Sequence, residues 1–201
     1  QSTILERALN VTKEDSAKWN KNYMQSVVQA RGKLPRITWW MEEYGFLMRH
    51  LNAISGPPAS AKTWLLLKLA LHRITGGEIL GVSTPPHPHE AVVIIDGERM
   101  QGAMIERLEQ LIGERDLLHH FFFFPIEDFT DLGDSSDIKR FKHMMDHAEE
   151  KKGLKVSTVI MDGTNQLFSC DENSNSELKE AVTPWVDIAA SYDAAIFVNL
   201  H

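Results

Sequence analysis

The run Gly56-Pro57-Pro58-Ala59-Ser60-Ala61-Lys62-Thr63 decides the reading of this chain. Leu51, Ala53 and Ile54 lead into it and are expected to form a buried strand, and Trp64 to His72 leads out as a helix. Strand, tight turn and helix N-terminus together make an anion site, because backbone N–H groups and the helix dipole converge there. The spacing is that of a phosphate-binding loop, G-x-x-x-x-G-K-[ST], with Ala61 in place of the second glycine. In such a loop Gly56 to Thr63, with the adjoining Trp64, wraps the phosphates. Lys62 reaches the β- and γ-phosphates and the Thr63 hydroxyl binds Mg²⁺. A Cβ at position 61 crowds the loop and disfavours φ above zero. The competing reading is an ordinary strand–turn–helix that happens to carry Lys-Thr.

The chain has 201 residues, 43% hydrophobic and 24% charged, enough for one sizeable α/β core or two small domains. Its longest apolar runs are far too short to span a bilayer, so no membrane partner is expected. The first twenty residues carry no apolar signal core, and the single cysteine, Cys170, excludes an internal disulfide; both fit a cytoplasmic protein. The net charge of −7 argues against a generally basic nucleic-acid surface but leaves room for a local basic lining in a ring assembly. His143 and His147 lie four apart, and His87 and His89 flank Pro88, without the third ligand or neighbouring Glu that a zinc site needs. They read as solvated surface histidines.

Residues 4–31 have helical, amphipathic spacing, ended by Gly32 and Pro35. The aromatic-rich segment Trp39 to Arg49 reads as a short helix packing on the core. Beyond the loop and its helix, strands are expected over Ala91–Ile95, Phe121–Phe124, Val156–Met161 and Ala194–Leu200. Helices are expected over Met100–Gly113, Ile138–Lys152 and Glu177–Tyr192, the last broken at, or beginning near, Pro184. This alternation implies a largely parallel sheet covered by helices on both faces, with an N-terminal helical segment over residues 1–50 and an α/β core over residues 51–201.

In such sheets ligands bind at the carboxyl ends of the strands. Gly56, Asp96 to Glu98, Asp162 and His201 all fall there. Asp162, after a buried strand, suits a Mg²⁺-holding carboxylate; otherwise it caps a turn with Gly163 and Thr164. No Glu adjoins Asp162, so the carboxylate that orients an attacking water comes from elsewhere. Glu98 is on the right rim, and an ionised carboxylate can accept that water's proton. Its alternative role is a surface pair with Arg99 or Arg107, and Asp96 is a second candidate for the base. Asn199 and His201 are placed to touch a γ-phosphate, although His201 reads equally well as a bland strand end.

With these residues in that order, the chain resembles the RecA-like P-loop ATPases, and among them the RepA-like hexameric replicative helicases. The resemblance rests on Ile54 to Thr63, Thr75-Gly76-Gly77 with Leu80-Gly81, Val93 to Glu98, Arg107-Leu108, Val159 to Asp162 and Phe197 to His201. It implies a RecA-like fold and Mg²⁺-dependent ATP hydrolysis, with Glu98 as catalytic base alongside Lys62; the alternatives are a nucleotide-binding regulatory or scaffolding protein with little turnover, and a recombinase- or clock-type RecA-like ATPase. Asp162 and Thr63 would hold the metal, and His201 would couple nucleotide to DNA. It also implies single-stranded DNA as a partner and a homo-oligomeric ring, whose neighbouring subunit supplies residues in trans. The family's fold continues past the strand that ends at His201. The 201 residues are therefore expected to be C-terminally incomplete and to hydrolyse ATP slowly by themselves. The first fifty residues carry none of the resemblance.

Overall fold

Ala91 to Ile95, Val159 to Met161 and Ala195 to Val198 are continuous apolar runs, and each becomes strand buried on both faces, as parallel strands beneath helices require. The computed structural model describes residues 37–113, 115–124, 131–169 and 174–200. The expected helix over residues 4–31 lies outside the described residues, as do Cys170 and His201. Contacts divide the chain into Gln1–Ile37 and Thr38–His201, and the second unit is the one described below.

In chain order it comprises β1 (Trp39–Met41), β2 (Phe46–Leu47), β3 (Leu51–Ser55), α1 (Lys62–Thr75), β4 (Gly77–Ile79), β5 (Val82–Thr84) and β6 (Glu90–Asp96). There follow α2 (Gln101–Ile112), β7 (Phe121–Phe123), α3 (Ser135–Lys152), β8 (Lys155–Asp162), α4 (Thr164–Leu167), α5 (Asn175–Tyr192) and β9 (Ala195–Leu200). The main sheet is parallel, in the order β3-β9-β8-β6-β7. Val92, Ile94, Ile160 and Phe197 pack with Leu66 and Leu67 of α1 and Met104 and Leu108 of α2. Val93, Ile95, Val159, Met161, Ile196 and Val198 pack on the other face, with Phe141 of α3 and Trp185 and Ile188 of α5. The period of two sorts these side chains strictly between two apolar layers.

Four expectations need correction. The segment Trp39 to Arg49 is a β-hairpin, β1 with β2, closed by a 3₁₀ turn over Glu42–Tyr44 and Gly45 at φ +70°. Its anchor is Trp40: Nε1 donates to Thr158 Oγ1 at 2.9 Å, and the ring meets Phe197 edge-on at 4.8 Å. Arg73 of α1 holds the same residue, donating to the Trp40 carbonyl at 2.6 Å while pairing with Glu90 at 2.7 Å. Burial works to raise the Glu90 carboxyl, but hydrogen bonds from Arg73 and Ser157, with the Arg73 charge, hold it below the usual range. Second, β3 is not fully buried: Ala53 and Ser55 are exposed, because β3 pairs only with β9 among the described residues. Third, β7 is the opposite edge strand, and Phe122 and Phe123 are half-buried. Fourth, α5 runs unbroken through Pro184. An interior proline costs about 3 kcal/mol. Burial of Trp185, Ile188 and Ala189, at about 1.5–3 kcal/mol for each large apolar side chain, offsets it.

Candidate functional site

The two apolar columns end in polar residues. Two positions beyond Ile94, Ile160 and Phe197 come Asp96, Asp162 and Asn199, so the alternation that buries the former sets the latter on the α1 face at the carboxyl ends of the strands. Strand β9 lies between β3 and β8, and Asn199 opposite Ile54 is therefore beside both the loop and Asp162. Asn199 Nδ2 donates to Asp162 Oδ1 at 2.6 Å, and the Thr63 hydroxyl donates to Asp162 Oδ2 at 2.7 Å. These bonds bring together the two residues expected to share a metal.

The loop Gly56 to Thr63 folds over the start of α1. Lys62 Nζ donates to the carbonyls of Gly56 at 2.7 Å and Pro57 at 3.0 Å. Gly56 is closely packed: a Cβ there would come within 3.2 Å of Ser60 Oγ. Ala61 takes the conformation its side chain disfavours, φ +61° and ψ 22°, and Ala59 has φ +59°. Chain geometry at the helix start thus prevails over residue preference. A left-handed residue other than glycine costs about 1–2 kcal/mol. Relieving that strain with Ala61→Gly is expected to raise Tm by about 2–4 °C, read by calorimetry of the unliganded protein. An unchanged or lower Tm would mean that the loop is not held in this geometry.

A cleft of about 340 Å³ is walled by Ala59 to Trp64, Glu98, Arg107 and Asp162. Gly56, Pro57 and Pro58 are not among its walls: the first two support Lys62 through their carbonyls, and Pro58 is an exposed turn residue. Glu98 is exposed and faces the loop across this cleft. Its placement depends on two glycines. Gly97 N–H donates to the Asp162 carbonyl at 2.9 Å, and a Cβ on Gly97 would meet the Gly163 carbonyl at 2.6 Å. Gly163, at φ +72°, packs against Glu98, where a Cβ would lie 3.0 Å from Glu98 Cγ. The ends of β6 and β8 are clasped glycine to glycine.

Asp96 is 2% exposed, and its Oδ1 accepts from the Glu98 N–H at 3.1 Å. Burial pushes the Asp96 carboxyl up. Backbone N–H groups of Met100 and Glu98 oppose that shift, while the charges of Asp162 and Glu98 add to it. The sequence points to Arg107 as a partner of Glu98 and as part of the resemblance, but not to its place in the cleft, nor to the glycine clasp. The signal for the clasp was present: Asp96-Gly97 and Asp162-Gly163 end neighbouring strands in register.

The donor set fits Mg²⁺, a hard cation that takes oxygen ligands and keeps several waters. A hydroxyl and a carboxylate 2.7 Å apart, open to a cleft beside a phosphate-type loop, offer such oxygens.

A family model for the AAA domain matches residues 20–201. Among solved structures, that of the RadB recombinase is similar, with a TM-score of 0.52 and 24% sequence identity, over 77% of this chain and 62% of that one. No functionally curated protein matches the chain. The likeness to RadB recombinase bears on the fold, the mostly parallel α/β sheet of RecA-like proteins. The family match spans most of the sequence: the chain belongs to the AAA domain family and has a RecA-like α/β fold.

Proposed function

We propose that this protein binds ATP with Mg²⁺ and hydrolyses it. The observation that carries the reading is the convergence of Lys62, Thr63, Asp162 and Glu98 on one cleft at the carboxyl ends of the strands. Ala59 to Trp64 wraps the phosphates, supported from behind by Gly56 to Pro58, with backbone N–H groups at the start of α1 facing the negative charge. Lys62 exchanges the carbonyls of Gly56 and Pro57 for β- and γ-phosphate oxygens. Thr63 and Asp162 hold the metal, which when bound supplies charge neutralisation at the phosphates. Glu98 orients the attacking water and takes its proton as the γ-phosphoryl group transfers in line. Arg107, on the same wall, adds positive charge where the transferring group gathers negative charge.

The larger assembly we infer is a cytoplasmic ring of subunits acting on single-stranded DNA, as in replicative helicases. The motif order around Glu98 supports it. His201 would relay nucleotide state to DNA. A second reading, a recombinase-type ATPase, is favoured by the likeness to RadB recombinase. Among the described residues no helix is long and apolar enough to cross a membrane. Calorimetry with ATP, with and without Mg²⁺, tests the site: saturable binding that tightens with Mg²⁺ is expected, and no heat in either case would sink it. Phosphate release with and without single-stranded DNA then tests the DNA link. Strand-displacement and strand-exchange assays separate helicase from recombinase.

A further inference from the structure

Asp96 holds a buried carboxylate oxygen at the end of β6. Oδ1 closes the turn onto Glu98 and the Met100 N–H also acts on the carboxylate, but Oδ2 accepts no hydrogen bond of good geometry, although the residue is 2% exposed. A carboxylate oxygen that far from water without a donor is costly, and protonating it would only exchange an unmatched acceptor for an unmatched donor. The register sets Asp96 directly opposite Asp162, and both end columns on the α1 face. Two adjacent carboxylates with Glu98 beside them call for positive charge or for the water that surrounds it. Among the described residues no three acidic, histidine or cysteine side chains converge closely enough to hold a metal directly, so Asp96 would act at one remove, through water.

We propose that Asp96 is a positioning residue: Oδ1 holds the backbone of Glu98, and Oδ2 accepts a hydrogen bond from a water on the metal that Thr63 and Asp162 bind. This rests on reading the cleft as a Mg²⁺–nucleotide site. Mg²⁺ keeps several of its waters, and such outer partners orient them. One side chain thereby ties the metal end of the cleft to the residue that handles the attacking water.

The test is Asp96→Asn, which preserves shape and the Oδ1 acceptor while removing the acceptor at Oδ2. ADP binding is followed by fluorescence or calorimetry as Mg²⁺ is titrated. The Mg²⁺ midpoint is expected to rise about 10-fold or more, with ADP affinity in chelator unchanged. Without nucleotide the variant should melt at or above the wild type, because repulsion from Asp162 is relieved. Asp96→Ala, which also frees the Glu98 backbone, should show the same midpoint shift and a lower kcat at unchanged KM. An unshifted midpoint in Asp96→Asn overturns the proposal and leaves the nucleotide site standing. Loss of the fold in both variants would assign Asp96 to the core and overturn it too. If the wild type shows no Mg²⁺-linked ADP binding, the reading of the cleft itself fails.

Discussion

Lys62→Ala is expected to remove measurable nucleotide binding while the protein still folds. The Lys62 ammonium reaches over the loop and is the only charged group donating to the carbonyls of Gly56 and Pro57 among the described bonds. Bound phosphate oxygens would take the place of those carbonyls. A hydrogen bond to a charged group contributes about 1.5–3 kcal/mol, so losing two weakens binding by about 10²–10⁴-fold. The core layers do not involve the ammonium: Leu66, Leu67 and Ala70 bury the inward side of α1 without it. Circular dichroism should therefore match the wild type, and calorimetry with ATP should show no saturable heat. Equal affinity in the variant would refute the phosphate-loop assignment.

Glu98→Gln separates binding from chemistry. Glutamine matches the shape of Glu98 against Gly163 and keeps the clasp between β6 and β8. What it loses is the ability to accept a proton, and a positioned base contributes about 10²–10⁴-fold to rate. Turnover should fall by that factor with the Kd for ATP unchanged, measured by single-turnover phosphate release beside equilibrium binding. Undiminished turnover would move the base elsewhere. Asp96, the second candidate, is the nearest carboxylate on the same turn.

Much of this was legible in the chain because the signals were local. The loop spacing, the apolar runs of β6, β8 and β9, and the carboxylates at their ends each lie within ten residues of sequence. What escaped depends on pairing between distant segments. Trp39 to Leu47 carries aromatics that suit a helix or a hairpin. The choice is made by Thr158, Phe197 and Arg73, more than thirty residues away or further. The edge positions of β3 and β7 follow from strand order, which no single strand records. Pro184 read as a break because the local penalty was visible and the burial of Trp185 was not. That Asp96 stands opposite Asp162 follows from the register of β6 with β8, which neither strand records alone. The loop was foreseen, but not that two alanines would adopt the geometry usually left to glycine.

The alternation that ends each column in a polar residue also determines which genetic changes the core can absorb. Substituting one apolar residue of β6, β8 or β9 for another of similar volume leaves Asp96, Asp162 and Asn199 on the α1 face. Losing or gaining a single codon inside those strands does not: a shift by one residue turns every following side chain to the opposite layer. The carboxylates would then be driven among Val93, Phe141 and Trp185. Length variation among relatives should therefore collect in segments such as Leu80-Gly81 between β4 and β5, while the codon count of the three central strands stays fixed.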